Sequence, residues 1–381
     1  MNRYLSRFIL LVLTVLVAFS GALPVQAQVF ETAAKQAIIV DYDTGAVLFE
    51  QNADERMPTS SMSKAMTIYL VFEALKKGRI SLDDTFLVSE KAWRKGGSKM
   101  FVEVDKRVRV EDLIRGVVIQ SGNDATIVLA EGLAGSEDAF AQGLNSKAQE
   151  LGMAHSHFMN ASGWPDPDHY STARDLATLG IATIRDFPEY YPYYAEKEFS
   201  YNNIPQRNRN VLLYRDLGAD GIKTGHTEVG GYGLIGSGVY KGRRVVLVIN
   251  GLPDEKGRAQ ESARLLEWGL KRFENHKLFS KGETVGEAAV ALGKAKNIPL
   301  TLKDDLVVTI PQIALKDFTV SILYNGPLIA PVAAGQEVAI LRIEIPHMQP
   351  IERPLYAAQS VEKLGPFAGA LAKAKILITR Q

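Results

Sequence analysis

Hydrophobic and polar positions are patterned differently in successive stretches of the chain, and each pattern predicts its own element. Residues 8–19, FILLVLTVLVAF, form an unbroken apolar run behind Arg3 and Arg7, and Pro24-Val25-Gln26-Ala27 follows. A basic start, a short apolar stretch and small residues in that order predict an export signal over residues 1–27, cleaved after Ala27, and the apolar run is short for a spanning helix. In residues 37–51, AIIVDYDTGAVLFEQ, two β-rich runs flank the turn signal Asp43-Thr44-Gly45, which predicts a hairpin. Met62, Ala65, Met66, Tyr69, Leu70, Phe72 and Leu75 then recur at helical spacing, and Lys76-Lys77-Gly78 ends that helix with basic residues and a capping glycine. Further helices are predicted over residues 110–119 behind Glu111-Asp112, from Asp124 through TIVLAEGLA, and over 171–183. In the last of these, Thr172-Ala173-Arg174-Asp175 resembles an N-terminal capping pattern.

From Gly230 the period changes. YGLIGSGVY, then Lys241-Gly242, then RRVVLVINGL predicts a hairpin of two buried strands, and residues 260–273 return to a helical period. Strands therefore flank a helical middle, an α+β arrangement in which the first and last strands share one antiparallel sheet covered by helices. Beyond residue 276, short strands at 300–310, 318–324 and 337–345, separated by Gly and Pro, predict a small all-β domain reaching to about 357. Residues 360–381 set Leu364, Phe367, Leu371, Ile376 and Leu377 beside Lys363, Lys373, Lys375 and Arg380. That mixture suits an amphipathic segment on a membrane surface, although Pro366 and the run Ile376-Leu377-Ile378 blur its face, and a tail packed on the β domain is the competing expectation. The expected organisation is a signal (1–27), an α+β domain (28–275), a β-rich domain (276–357) and a surface segment (358–381).

Composition narrows the chemistry. With 44 Lys+Arg against 43 Asp+Glu, the net charge of +1 offers no global attraction to nucleic acid or an anionic surface. The chain has no Cys, which excludes thiol catalysis, cysteine-ligated zinc, iron–sulfur clusters and disulfides. Covalent catalysis would have to use Ser, Thr, Lys, His, Tyr or a carboxylate.

Three short motifs occur in order: Ser61-Met62-Ser63-Lys64, Ser121-Gly122-Asn123 and Lys223-Thr224-Gly225. Each is weak alone, since Ser-x-x-Lys recurs at Ser360 to Lys363 and Ser-x-Asn recurs at Ser200-Tyr201-Asn202. Context separates the copies. Ser61 falls at the start of a predicted helix, where free N–H groups and the dipole favour negative charge. Lys64 lies one turn on, on the same face. A Lys buried beside cations and apolar walls can lose its proton near neutral pH and accept the Ser61 proton. The plain alternative is a helix cap followed by a solvated Lys. The strand carrying Lys223 and Thr224 could hold an extended peptide and its carboxylate, with Gly225 leaving room for it, or could be an ordinary turn. Ser121 could relay a proton and Asn123 hold a carbonyl, or Asn123 could simply cap a helix.

Taken together, the motifs resemble those of the low-molecular-mass penicillin-binding proteins, the serine D-alanyl-D-alanine carboxypeptidases of the S11 peptidase family. Pro58-Thr59-Ser60-Ser61-Met62-Ser63-Lys64-Ala65-Met66-Thr67 is similar to the family's nucleophile segment, and Ser121-Gly122-Asn123-Asp124-Ala125 to its second motif. Asn208-Arg209-Asn210, Asp220 to Thr227, Gly231-Tyr232, Lys256-Gly257-Arg258, Glu261-Ser262 and Trp268-Gly269 extend the resemblance, which is strong over residues 30–275 and looser beyond. It implies the penicillin-binding-protein/β-lactamase-like fold and a set of roles. Ser61 would attack the penultimate D-Ala carbonyl of a peptidoglycan stem ending in D-Ala-D-Ala, with Lys64 as general base. Ser121 would shuttle the proton to the leaving amine, and Asn123 would orient the substrate. Lys223 would support the electrostatics, and Thr224 and Arg258, with Arg209, would bind the terminal carboxylate. The backbone N–H groups of Ser61 and His226 would form the oxyanion hole, the His226 ring merely lining the site. The resemblance further implies no metal or organic cofactor, covalent inhibition by β-lactams, and residence in the periplasm, attached peripherally to the outer face of the cytoplasmic membrane.

The remaining expectations concern rivals. His155, His157 and His169 lack the third ligand and helical spacing of a hydrolytic zinc site, and are expected to be loop residues. Residues 162–169, SGWPDPDH, hold no Glu like the deacylating one of class A β-lactamases, which disfavours that activity. An endopeptidase of the same fold and a non-catalytic peptidoglycan-binding protein are the other readings.

Overall fold

The structure, a computed structural model, describes residues 30–370. Its centre is a five-stranded antiparallel sheet whose order runs Val47–Gln51, Gln36–Asp41, Arg243–Leu252, Gly231–Tyr240 and Ala219–Thr227. The expected pairing of early and late strands is present: Gln36 lies opposite Asn250 and Asp41 opposite Val245. All six residues of Gln36–Asp41 are buried because both faces of the sheet are covered. Ile38 and Val40 point into one core together with Ile222, Ile235, Val246 and Val248. Ile39 points the other way, towards Gly269 of the helix Glu255–Lys271, with its Cδ1 only 2.2 Å from where a Gly269 Cβ would lie. Gly180 of the helix Ala173–Asp186 does the same on the first face, against Val246 and Ile222.

Local chemistry sets the element ends. Gly78 takes φ +65°, its N–H donates to Leu75 and the Arg79 N–H to Ala74, a Schellman stop for the helix Lys64–Lys76. The Thr172 hydroxyl accepts from the Asp175 N–H at 3.1 Å, the cap expected from the sequence. The helix Glu255–Lys271 starts five residues before the expected 260, because Asp254 caps it by accepting from the Gly257 N–H at 2.6 Å. Lys241 and Gly242 have φ +50° and +81°, the double left-handed turn that matches strand twist in a two-residue hairpin.

The chain then builds an all-β unit from Phe273, with a six-stranded sheet and a two-stranded one around its own core of Ile298, Leu300, Val308, Leu341 and Leu355. It contains more strands than the pattern predicted, since strands such as Phe273–Phe279 (FENHKLF) carry polar residues on a half-exposed face. A polar cluster joins this unit to the main sheet. Arg243 Nε donates to Asp41 Oδ2 at 2.7 Å and Asn275 Nδ2 to Asp41 Oδ1 at 3.2 Å, while the Thr44 and Thr309 hydroxyls lie 2.5 Å apart. The amphipathic segment expected from residue 360 onward starts as extended chain. Val361 and Lys363 pair as isolated bridges with Val332 and Gly293, and helix begins only at Pro366, where a missing N–H does no harm. The expected signal and residues 371–381 lie outside the described residues.

Candidate active site

Ser61 lies in a 3-10 turn, Ser60–Ser63, that runs directly into the helix Lys64–Lys76, so the α-helix starts one turn later than the sequence suggested. Residues three apart eclipse one another in a 3-10 turn. That geometry superposes Lys64 on Ser61, and Lys64 Nζ is 2.8 Å from Ser61 Oγ. Two neighbours press the turn into place. Gly163, at φ +74°, passes so close beneath Ser60 that a Cβ would lie 1.8 Å from the Ser60 carbonyl oxygen. Gly225 in the edge strand Ala219–Thr227 abuts Thr59 and Met62, where a Cβ would be 2.8 Å from the Thr59 oxygen. A side chain at Gly225 would therefore collide with the nucleophile turn.

Lys64 is fully buried, and its Nζ also donates to Asn123 Oδ1 at 2.7 Å and to the Ser162 carbonyl at 2.6 Å. Asn123 Nδ2 donates to the Gly96 carbonyl at 2.8 Å, which turns the amide oxygen towards Lys64. Both of these partners only accept. A neutral amine has two N–H groups and one lone pair; with the two N–H groups engaged, the lone pair is left for the Ser61 hydroxyl proton. Burial holds the Lys64 pKa well below its ordinary value, and the Arg209 guanidinium pushes in the same direction. Asn123 is the first residue of the helix Asn123–Ala134, with Gly122 at the cap, so its side chain serves Lys64 and not the helix end. Ser121 is buried with φ +60°, and its hydroxyl has no hydrogen-bond partner among the described residues.

Lys223 is 2 % exposed, far from a solvated turn residue, and its Nζ reaches only the Thr224 carbonyl, at 3.3 Å. Burial drives its pKa well down, reinforced by Lys64, Arg209 and Arg258. Arg258 is buried, donates to Glu255 at 2.9 Å, and lies over the Tyr232 ring at 5.5 Å. Its Nε has no partner among the described residues. Arg209 is exposed and donates to the Ser98 hydroxyl at 2.6 Å. His226 is exposed and stacks on Tyr232, its strand-pair partner, at 3.8 Å; its ring makes no hydrogen bond among the described residues. Lys64, Lys223, Arg209 and Arg258 act on one another as like charges, opposed by Asp124 at Lys64 and by Glu255 at Arg258, and this excess of positive charge favours an incoming anion.

Sequence reasoning missed several supports. Asp124 is completely buried, and its carboxylate accepts from the backbone N–H groups of Met100, Phe101 and Val102 at 2.8, 2.8 and 3.2 Å, holding the 96–102 loop against Asn123. Its sequence signals are an acid in the first turn of a helix and a place in the second motif, neither of which reveals the loop it holds. Ser162 and Gly163 had no signal beyond their neighbours, and Tyr232 had only its place in the Gly231-Tyr232 pair of the resemblance. His169, expected as a plain loop residue, is 5 % exposed and bonded to Ser63. Among the described residues, no cluster of His and carboxylates could hold a metal ion.

The family model for D-alanyl-D-alanine carboxypeptidase, peptidase S11, matches residues 23–253. The chain belongs to this family. A second model, the C-terminal domain of penicillin-binding protein 5, matches residues 273–363. The D-alanyl-D-alanine carboxypeptidase DacA of Escherichia coli K12 is 38% identical over 346 residues, 89% of this chain and 86% of the relative. The crystal structure of penicillin binding protein 5 from Haemophilus influenzae is 36% identical and superposes with a TM-score of 0.77, covering 88% of this chain and 99% of that one. The D-alanyl-D-alanine carboxypeptidase DacD from Francisella tularensis superposes with a TM-score of 0.81 at 29% identity, covering 91% and 100%. The α+β fold with a β-rich C-terminal unit, expected from the sequence, is the fold of these S11 carboxypeptidases.

Proposed function

We propose that this S11 carboxypeptidase removes the terminal D-Ala from peptidoglycan stems ending in D-Ala-D-Ala through an acyl-enzyme on Ser61. The observation that carries this reading is Lys64: a buried amine with two acceptor-only partners and one serine hydroxyl at 2.8 Å. Lys64 takes the Ser61 proton as Oγ attacks the penultimate D-Ala carbonyl. The backbone N–H groups of Ser61 and His226 receive the oxyanion. Collapse expels the D-Ala amine, protonated through the otherwise unpartnered Ser121 hydroxyl. Water then attacks the ester, Lys64 taking its proton and returning it to Ser61 Oγ as the acyl–Oγ bond breaks and the shortened stem leaves. The substrate's terminal carboxylate sits among Thr224, Arg258 and Arg209, with Lys223 adding positive potential, and Asn123 orients the substrate while fixing Lys64. A β-lactam acylates Ser61 by the same attack. The solved structures of penicillin-binding protein D2 from Listeria monocytogenes in ampicillin- and cefotaxime-bound forms, 30% identical, support that step by analogy.

The chain is also 30% identical to a D-alanyl-D-alanine endopeptidase of E. coli, but over 62% of its length, against 89% for the carboxypeptidase. The carboxypeptidase reading is preferred for that reason. The chain would be exported on residues 1–27 and held on the outer face of the cytoplasmic membrane by residues 358–381. The 88 % exposed Phe367 supports a surface contact there, and no helix among the described residues is long and apolar enough to cross a membrane. Deleting residues 360–381 should release active enzyme into the soluble fraction, and retention on membranes refutes the anchor.

The test of function is intact-protein mass spectrometry after brief exposure to benzylpenicillin, with peptide mapping and a parallel assay of D-Ala release. One adduct on the Ser61 peptide, decaying slowly, supports the reading. No adduct with the drug consumed indicates a β-lactamase. No adduct with the drug intact indicates a non-catalytic binding protein.

A further inference from the structure

His169 is buried and meets the nucleophile turn at Ser63. The Met159 backbone N–H points at its Nδ1 from 3.1 Å, so Nδ1 is the accepting nitrogen. The ring's proton therefore sits on Nε2, which donates to Ser63 Oγ at 2.7 Å. The Ser63 hydroxyl also shares a hydrogen bond with Thr59 Oγ1 at 2.5 Å, in which either oxygen can donate. Thr59 and Ser63 bracket Ser61, and both are completely buried. The Thr59 carbonyl in turn accepts from the Met62 N–H at 3.1 Å, closing the turn. The ring packs edge-on against Phe158 at 5.5 Å, which fixes its plane.

We propose that His169 is a positioning residue for the nucleophile: its Nε2–H, acting through Ser63 and Thr59, sets the turn that holds Ser61 over Lys64. The Met159 N–H needs the lone pair of Nδ1 and Ser63 needs a donor from Nε2, so the neutral Nε2-H tautomer satisfies both partners of the ring, and Ser63 passes the contact on to Thr59. No group in it touches the substrate, and His169 donates no proton to the reaction. Its burial keeps it neutral, with a pKa lowered to about 4. The inference rests on Ser61 being the acylated residue, and it explains why the turn is built from Thr59, Ser60, Ser61 and Ser63. Ser60 Oγ donates to Thr227 at 3.1 Å on the strand side, and Ser63 answers to His169 on the other, so the turn is held from both flanks.

Two substitutions separate the halves of the ring. In His169→Gln the amide nitrogen reaches the Nε2 position and still donates to Ser63. In His169→Asn the amide oxygen can still accept from Met159, but the reach to Ser63 is lost. The full-length enzyme, both variants, Ser63→Ala and the double variant Ser63→Ala/His169→Asn are mixed with increasing benzylpenicillin. Adduct formation is followed by mass spectrometry, giving a limiting acylation rate and a half-saturating concentration, and thermal melts report folding. Wild-type acylation at Ser61 verifies the underlying reading independently. Positioning predicts that His169→Gln acylates within a few-fold of wild type, and that His169→Asn and Ser63→Ala fall about 10-fold or more in limiting rate with half-saturation unchanged. The double variant should be no slower than the slower single one. Folded His169→Asn or Ser63→Ala acylating at the wild-type rate overturns the proposal, as does a double variant whose losses multiply. Should His169→Asn fail to fold, Ser63→Ala against His169→Gln decides by the same criterion.

Discussion

Gly163→Ala tests the architecture beneath the nucleophile more severely than any change to the catalytic groups themselves. The residue sits at φ +74°, where an L side chain costs about 1–2 kcal/mol of backbone strain. Its new Cβ would lie 1.8 Å from the Ser60 carbonyl oxygen, 2.5 Å from the carbonyl carbon and 3.2 Å from the Ser63 Cβ. Reaching a tolerable contact of about 3 Å requires the two backbones to part by about 1.2 Å. Overpacking of this kind costs roughly 1–3 kcal/mol, which with the strain gives a loss of about 2–5 kcal/mol and a melting point lower by about 5–15 °C. The kinetic effect comes from the adjoining residue. The Ser162 carbonyl holds Lys64 Nζ at 2.6 Å, so separating the loop from the turn moves the base relative to Ser61. A displacement near 1 Å at reacting atoms costs on the order of 100-fold in rate. The assay is the benzylpenicillin acylation time course at 25 °C, where the variant remains folded, beside a calorimetric melt. A folded Gly163→Ala enzyme acylating within a few-fold of wild type refutes the reasoning.

Lys64→Ala should lower the acylation rate by about 1,000-fold or more while leaving Ser61 in place. In the wild type, acylation should rise with pH through the depressed Lys64 pKa and then level off, because the neutral amine is the active form; a flat profile from pH 5 to 10 counts against a lysine base. Asp124→Ala leaves the buried N–H groups of Met100, Phe101 and Val102 without their acceptor and should destabilise by roughly 3 kcal/mol or more in urea unfolding; a change under 1 kcal/mol refutes that role. His169 faces Asp166, which favours its charge, and His157 and Lys64, which oppose it, but burial dominates. Since its folded pKa of about 4 lies below the ordinary 6.5, the unfolded chain binds the proton first, and its contribution of about 3 kcal/mol is intact above pH 6.5 and lost as pH falls to 4. His169→Gln should flatten that part of the pH–stability curve, and an unchanged slope refutes the assignment.

The helices legible in the sequence are those whose cores lie on one face or whose ends carry explicit chemistry. Thr172, Gly78 and the Lys241-Gly242 turn were readable because a cap or a positive φ depends on a few adjacent residues. The start of the helix Glu255–Lys271 was misjudged because Asp254 precedes the apolar period it caps. In the β-rich part, half-exposed strands such as Phe273–Phe279, Thr284–Ala291 and Ile351–Ala357 dilute the alternating pattern with charge, and these passed unnoticed. At the site, the spacing of Ser61 and Lys64 made their contact legible, while the 3-10 form of the turn was not.

By itself, then, the sequence determined which groups are available: a serine and a lysine one turn apart, an absence of thiols, and three motifs that together resemble one family. Only the tertiary structure decided their states. Residues distant in sequence, Asn123 and Ser162, occupy two of the three directions around Lys64 Nζ, and burial removes the water that would keep it charged. The same enclosure separates Ser63 from the serines around it, because His169 reaches it across 106 positions. Charge, tautomer and lone-pair direction depend on what surrounds a group in space, and one-dimensional spacing carries no record of that.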